Sequence, residues 1–240
     1  MAKLPQNAIV DHVYGTYVTL RTGMACVAVV FPVLLYLWGK LHGIDLQDSM
    51  SAYYWATVEK GSPARIWFVG ILFLIGGFLY LYKGFTREEN WALNLAALFA
   101  IGVAFFPAAW PGFVNPYPAW LHGACAVSLF VCMAYVTWFR AGDTLEYLEP
   151  PALRARYGRR YKFASIAMLV APLTAAVLQA GLGLQGKFVF FIELAGIWAF
   201  ATFWFFKSRE MAHTKPELRV IRKWSEAEPA HEPARAAAAL

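Results

Sequence analysis

The sequence predicts an all-α, polytopic membrane protein with six transmembrane helices and both termini in the cytoplasm. Hydrophobic residues make up 60% of its 240 residues and charged residues only 15%, whereas soluble domains carry about 25% charged residues. The apolar residues fall into blocks of about 20 residues, the length that a helix needs to cross a hydrocarbon core of about 30 Å. Lysine and arginine are concentrated in alternate links between these blocks, which predicts the orientation.

The first three predicted spans have distinct boundary signals. The first, residues 22–41, is an apolar block after a polar N-terminal stretch, and Pro32 inside it predicts a kink. The second, residues 65–82, begins at Arg65 after a polar link of more than twenty residues. The third, residues 91–110, follows a short charged link.

The other three spans complete the predicted membrane domain. The fourth, residues 119–139, follows an uncharged link that contains three prolines. A long basic loop precedes the fifth, residues 163–182, and a glycine-rich turn leads into the sixth, residues 188–206. The membrane domain therefore covers residues 1–207, and residues 208–240 are predicted to form a polar cytoplasmic tail that is partly disordered by composition.

The basic residues indicate which side of the membrane each link occupies. Of the 21 lysines and arginines, 17 fall on the side of the two chain ends. The other side receives Lys40, Lys60, Arg65 and Lys187. The positive-inside rule places the basic side in the cytoplasm, which predicts a multi-pass protein of the inner (cytoplasmic) membrane. The net charge of +6 is therefore interpreted as a topology signal and not as a sign of nucleic-acid binding.

Two ionisable residues in the predicted spans are candidates for function, because such residues are rare and costly in a membrane. Glu193 lies about 8 Å from the outer end of the sixth span at 1.5 Å per residue. His122 lies at a similar level near the outer end of the fourth. Each has a structural alternative, and for His122 it is a helix-end histidine hydrogen-bonded to a loop carbonyl.

The first outer link, residues 42–64, is the richest in polar side chains, and long links are often functional. Its histidine, carboxylate, serine and tyrosine residues are His42, Asp45, Asp48, Ser49, Ser51, Tyr53, Tyr54 and Glu59. With His122 as a fourth candidate ligand, His42, Asp45 and Asp48 could hold a divalent ion. Their spacing is equally typical of a short solvated helix. Ser49 or Ser51 could also act as a nucleophile activated by His122.

The stretch RARYGRRYK at residues 154–162 is the most cationic part of the chain. Basic residues at a membrane surface attract anionic headgroups by about 1 kcal/mol each. The sequence leaves two interpretations open, which are contact with lipid headgroups and a role in orientation alone.

Gly76 and Gly77, inside the second span, also have two interpretations. They could form part of a ligand cradle, or they could allow a close contact between helices, which is the usual role of small residues in membrane helices.

Several stretches of the chain resemble a group of uncharacterised bacterial six-helix integral membrane proteins. They are SMSAYY at 49–54, RIWFVGILFLIGGFLYLYKG at 65–84, NLAALFAIGVAFFP at 94–107 and ELAGIWAFATFWFFK at 193–207. Members have a Ser-x-Ser-x-Tyr-Tyr loop before an arginine that opens a Phe-Val-Gly helix, then a histidine and a late glutamate, which correspond here to Arg65, His122 and Glu193. They also have an acidic residue where this chain has Ile66. The resemblance covers residues 49–207 and implies the fold and topology.

Alkaline-ceramidase-type membrane hydrolases are a more remote comparison. Those enzymes hold zinc with a set of histidines, an aspartate and a serine. This chain lacks the HxxxH pair on a late helix that such a site requires.

The candidate residues converge on the outer face, as a pocket that opens to the outer leaflet requires. The candidate ligand-binding residues are Ser49, Ser51, Tyr53, Tyr54, Arg65, His122 and Glu193. We therefore expect a protein that binds a lipid or other amphipathic ligand there, as an accessory subunit of a larger membrane complex, with membrane lipids and membrane proteins as partners. No motif specifies a cofactor.

Two other function classes remain as alternatives. One is a membrane-embedded hydrolase or lipid-headgroup-modifying enzyme at the same place, with His122 as the base and Glu193 or the Asp45/Asp48 pair as acid or metal ligand. The other is a transporter or channel, but Glu193 is the only acidic residue inside a predicted span.

Overall fold

A computed structural model describes residues 6–57, 61, 63–112, 114–118, 120–184 and 186–214, and this part of the chain is helical with no β-strand. The main helices are α1 (Gln6–Leu41), α2 (Arg65–Leu81), α3 (Arg87–Phe105), α4 (Trp120–Tyr135), α5 (Pro151–Ala176) and α6 (Phe188–Thr214). A π-helical turn continues α4 over Val136–Arg140 and α5 over Val177–Gly181, and short 3₁₀ helices cover Ser51–Tyr54 and Leu145–Tyr147. The predicted all-helical fold is confirmed.

Among the residues that the structure describes, four helical segments are long and apolar enough to cross a membrane. They are Ala8–Leu41, Trp120–Tyr147, Pro151–Gln179 and Phe188–Thr214. α2 is also apolar but has only 17 residues. Large apolar side chains such as Leu37, Phe163 and Phe191 are exposed on the helix surfaces, as expected where the surrounding medium is lipid. The chain therefore has the features of a multi-pass membrane protein.

The six helices pack in chain order around a closed ring. Each helix contacts the next one along the chain, and α6 returns to pack against α1. Fully buried side chains come from all six helices, including Met24, Leu79, Leu93, Met133 and Met168. Trp204 of α6 is fully buried as well. The interior of the ring is consequently filled by side chains and not by an open pore in the part of the chain that the structure describes.

Contacts between helix ends define the two ends of the bundle. At the first, which we call the turn end, the 3₁₀ turn after α1 contacts the start of α2, the link after α3 and the start of α6. At the second, which we call the basic end, Tyr17 of α1 packs against Tyr82 after α2, and Arg140 after α4 contacts Thr86 before α3. Consecutive helices therefore run in opposite directions.

Two helices, α1 and α5, begin more than ten residues earlier than the sequence predicts. α1 starts at Gln6 and not near residue 22, and in this polar stretch the hydroxyls of Thr16 and Thr19 bond to carbonyls four residues back. α5 starts at Pro151 and not near residue 163, since proline at the first helical position needs no backbone N–H. The predicted basic loop is therefore helical over much of its length.

The other shifted boundaries have local causes too. α3 starts at Arg87, where Thr86 accepts a hydrogen bond from the Glu89 amide, and it ends at Phe105 because Pro107 disfavours helix in the residue before it. α6 continues to Thr214, beyond the predicted end at residue 206. Its last two turns are held by buried polar contacts that are described below.

Candidate functional site

The serine-containing part of the first link folds into a compact turn at the turn end. Gly43, with φ of 81°, lets the chain leave α1. The Ser49 hydroxyl then accepts a hydrogen bond from the Ala52 amide at 3.2 Å and shares another with the Ser51 hydroxyl at 3.0 Å. The first bond satisfies a backbone amide at the start of the 3₁₀ helix Ser51–Tyr54, and the second brings the two hydroxyls together.

Glu193 joins this turn to α6. One carboxylate oxygen, Oε2, accepts a hydrogen bond from the Met50 amide at 2.6 Å, between the two serines in sequence. The Phe190 amide, one turn earlier in α6, donates to the Asp48 carbonyl at 2.9 Å. The start of α6 and the serine turn therefore hold each other in place through two hydrogen bonds in opposite directions.

Tyr53 fixes the turn against α1. Its side chain is fully buried, its ring lies 6.2 Å from that of Phe190, and it packs against Gly39 so closely that a Cβ there would be only 2.8 Å from the ring. This burial raises the pKa of the Tyr53 hydroxyl. Tyr53 is thus a packing residue that anchors the serine turn to α1.

Tyr54 and Trp55 tie the same turn to α2 and to the link after α3. Arg65 donates from Nε to the Tyr54 carbonyl at 2.8 Å, and its guanidinium lies 4.5 Å from the centre of the Tyr54 ring. The Trp55 indole donates to the Ala108 carbonyl at 2.7 Å. A cation over an aromatic face is attractive, so Arg65 both positions the turn and brings positive charge to it.

His122 contacts a different part of the turn end. Its Nδ1 lies 2.7 Å from the Phe106 carbonyl, in the link after α3. This is the structural alternative considered above, a helix-end histidine bonded to a loop carbonyl. The hydrogen bonds described for the rest of the chain include none between His122 and Ser49 or Ser51.

The candidate metal ligands are dispersed. His42 Nδ1 lies 2.8 Å from the Trp38 carbonyl, and Asp45 pairs with Lys40 at 2.7 Å. The hydrogen bond and the charge of Lys40 both lower the pKa of Asp45. Within the described ranges, no group of three or more His, Cys, Asp or Glu side chains is close enough to hold a metal ion.

The predicted site is therefore assembled in part. The turn end brings together Ser49, Ser51, Tyr53, Tyr54, Arg65 and Glu193. His122 lies at the same end with its own carbonyl partner, and Glu59 lies outside the described residues. The arrangement places two hydroxyls, of which Ser49 is buried and Ser51 half-buried, close to a carboxylate and a guanidinium on one compact turn.

A second polar cluster, which the sequence analysis missed, lies buried at the basic end. Lys207 pairs with Glu210 at 2.9 Å and also donates to the Thr144 hydroxyl at 2.7 Å and the Ala141 carbonyl at 3.0 Å. Glu210 in turn accepts hydrogen bonds from Thr144, Tyr161 and Thr214 at 2.9–3.2 Å. We call Thr144, Tyr161, Lys207, Glu210 and Thr214 the buried polar cluster.

Two more buried charges lie at the same end of the bundle. Glu89 of α3 accepts a hydrogen bond from the Phe85 amide at 2.8 Å, and the positive charge of Lys207 attracts its carboxylate. Arg21 of α1 is fully buried. One signal could have revealed the cluster: Phe203, Lys207, Glu210 and Thr214 continue the helical period of the last apolar block on one face.

No family model matches the chain, and no curated protein or solved structure shows significant similarity to it.

Proposed function

We propose that this chain is a six-span protein of the inner membrane, with its basic end in the cytoplasm, that binds a lipid or other amphipathic ligand at the turn end. In this orientation the serine turn faces the outer leaflet. A protein of this kind would serve as an accessory subunit of a larger membrane complex, with membrane lipids and other membrane proteins as partners.

Helix lengths support six spans. At 1.5 Å per residue, the 17 residues of α2 and the 19 of α3 are about 26 and 29 Å long, close to the thickness of a hydrocarbon core. Both helices pack side by side with their neighbours in the ring. The charged residues of α3, Arg87, Glu88 and Glu89, are confined to its first turn at the basic end.

The hydrogen bond from the Met50 amide to Glu193 is the observation that carries the ligand proposal. Carboxylates inside a membrane are costly and are retained mainly where they bind or react. Here the carboxylate is half-buried and adjoins a turn that carries two serine hydroxyls, of which Ser51 is half-buried and Ser49 buried. The Arg65 guanidinium, at the other side of Tyr54, adds a positive charge for an anionic or zwitterionic headgroup.

A hydrolase or headgroup-modifying enzyme at this place is the second candidate. It is favoured by the paired hydroxyls of Ser49 and Ser51, either of which could serve as a nucleophile. It also requires a base, and His122 would have to exchange its bond to the Phe106 carbonyl for one to a serine. The ligand-binding role makes no such demand.

Lipid mass spectrometry and elemental analysis on gently purified full-length protein test the proposal. The decisive variant is Glu193→Gln, because glutamine removes the charge while its side-chain oxygen can still accept the Met50 hydrogen bond. We expect a stoichiometric amphipathic molecule with the wild type that is lost in this variant. The matched control is Glu149→Gln, an exposed carboxylate at the basic end.

The possible outcomes separate the two candidates. A ligand lost in Glu193→Gln and retained in Glu149→Gln supports binding at the turn end. A ligand set that is the same in both variants, with unfolding temperatures equal to that of the wild type, rules it out. A bound metal, or turnover of a lipid headgroup, that disappears in His122→Ala would favour the enzyme.

A further inference from the structure

A groove between α5 and α6 opens at the basic end of the bundle. Its volume is about 610 Å³. Arg156, Arg159 and Arg160 of α5 lie at one end of it. Beyond them its walls are apolar and include Phe163 of α5 and Ala195 and Trp198 of α6.

The length of the groove matches one leaflet of a bilayer. Its lining residues extend from Arg156 to Ala167 on α5 and from Ala195 to Phe206 on α6. Each stretch is about 16 Å long at 1.5 Å per residue, and half of a hydrocarbon core is about 15 Å. Both helices are among those apolar enough to cross a membrane, so the apolar part of the groove lies at acyl-chain depth when its arginines are at the surface.

The three arginines are available to an anionic partner. Among the residues that the structure describes, none of them forms an ion pair or hydrogen bond, and Arg156 and Arg159 are exposed. Arg160 is held over the Phe206 ring, with 4.3 Å between its guanidinium carbon and the ring centre. A guanidinium presents a planar set of donors that matches two phosphate oxygens at once.

From this charge complementarity and leaflet-deep apolar wall, we propose that the groove binds one anionic phospholipid of the inner leaflet, with its phosphate on the arginines and an acyl chain along Phe163, Ala195 and Trp198. Basic pockets between membrane helices on the cytoplasmic side are suited to anionic headgroups. This site lies at the opposite end of the bundle from the serine turn and does not depend on the function proposed for that turn.

Native mass spectrometry of the full-length protein with dioleoyl phosphatidylglycerol and dioleoyl phosphatidylcholine tests this proposal. We expect the wild type to bind one phosphatidylglycerol in preference to phosphatidylcholine. The variant Arg156→Gln/Arg159→Gln should bind it on the order of 30-fold more weakly, about five-fold for each basic residue lost. The matched control is Lys83→Gln/Arg87→Gln, which removes two exposed charges at the same end outside the groove.

A third variant tests the apolar wall separately. Ala195 is exposed on α6, so Ala195→Trp fills the groove from outside without entering the core, and we expect it to weaken phosphatidylglycerol binding while leaving the arginines intact. Equal binding of the two lipids, equal losses in the groove and control variants, or no effect of Ala195→Trp would each overturn the proposal. Phosphatidylglycerol binding that is lost in Glu193→Gln and retained in Arg156→Gln/Arg159→Gln would assign the lipid to the turn end and overturn the proposal as well.

Discussion

Individual residues show where this bundle places its charges. Lys207 and Glu210 are almost completely buried, yet the Lys207 ammonium and both carboxylate oxygens of Glu210 form hydrogen bonds. Removing charges from water is expensive, so a buried pair persists only when hydrogen bonds satisfy it. The two residues are three apart on α6, but Thr144 and Tyr161 come from distant parts of the chain. Sequence reasoning could therefore find the pair by its helical period and not its partners.

Breaking this pair should destabilise the protein strongly. We expect Lys207→Met to lower the free energy of unfolding by about 3–5 kcal/mol, because it leaves the Glu210 carboxylate buried without its counter-charge. The double variant Lys207→Met/Glu210→Met should recover part of the loss. Denaturant unfolding in mixed micelles measures both.

Lys83→Met is the control for this experiment, because Lys83 is exposed and contacts only the Tyr80 ring among the described interactions. If Lys207→Met cost no more than Lys83→Met, the ion pair would contribute nothing to stability.

At the level of elements, the helices were predictable and their ends were not. Each of the helices α1 to α6 contains a long apolar block of the sequence, because a helix forms all of its backbone hydrogen bonds internally in an apolar medium. The ends depend on single polar residues and on tertiary contacts. Thr86 caps α3, Pro151 starts α5, and the buried polar cluster extends α6 to Thr214. The first two have a capping signal in the local sequence, whereas the extension of α6 is indicated only by the helical period of its buried residues.

The contact between α2 and α3 provides a matched pair of glycines. A Cβ on Gly76 would lie 2.9 Å from Ile101 and 3.1 Å from the Ala97 carbonyl oxygen, whereas one on Gly77 would meet nothing within 4 Å. We expect Gly76→Ala to destabilise the protein by about 1–3 kcal/mol through overpacking. Gly77→Ala should be neutral or stabilising by up to about 1 kcal/mol, from helix propensity.

Thermal unfolding of the two glycine variants in one detergent gives the comparison. Equal unfolding temperatures would mean that α2 and α3 can separate at no cost, in conflict with the close packing of Gly76 on Ala97 and Ile101.

For the whole molecule, the ring of helices explains why distant polar residues meet at two ends. The turn end gathers Ser49, Ser51, Tyr54, Arg65 and Glu193, most of the candidate site that the sequence analysis named. Topology counting could place these residues on one side of the membrane. It could not assign the partner of His122, because a carbonyl acceptor such as Phe106 carries no side-chain signature.

Cysteine labelling in intact cells tests the proposed orientation. Asp48 at the turn end and Glu149 at the basic end are both exposed. In a background with Cys26, Cys125 and Cys132 replaced by alanine, a membrane-impermeant maleimide should label Asp48→Cys directly. Glu149→Cys should react only after the membrane is opened. The reverse pattern would mean that the orientation is inverted. Labelling of both from outside would contradict the proposal that three spans, α2, α3 and α4, separate the two residues.

The closure of the ring by α1 and α6 has a consequence for biogenesis. Every other lateral contact in the ring forms between a helix and the one synthesised just before it. The helix made first must therefore wait in the bilayer, with one side uncovered, until the helix made last arrives. During that interval the surface of α1 that will contact α6 is uncovered and accessible to membrane proteases. We expect substitutions at the contact between α1 and α6 to lower the amount of inserted protein more than they lower the stability of the molecules that complete assembly.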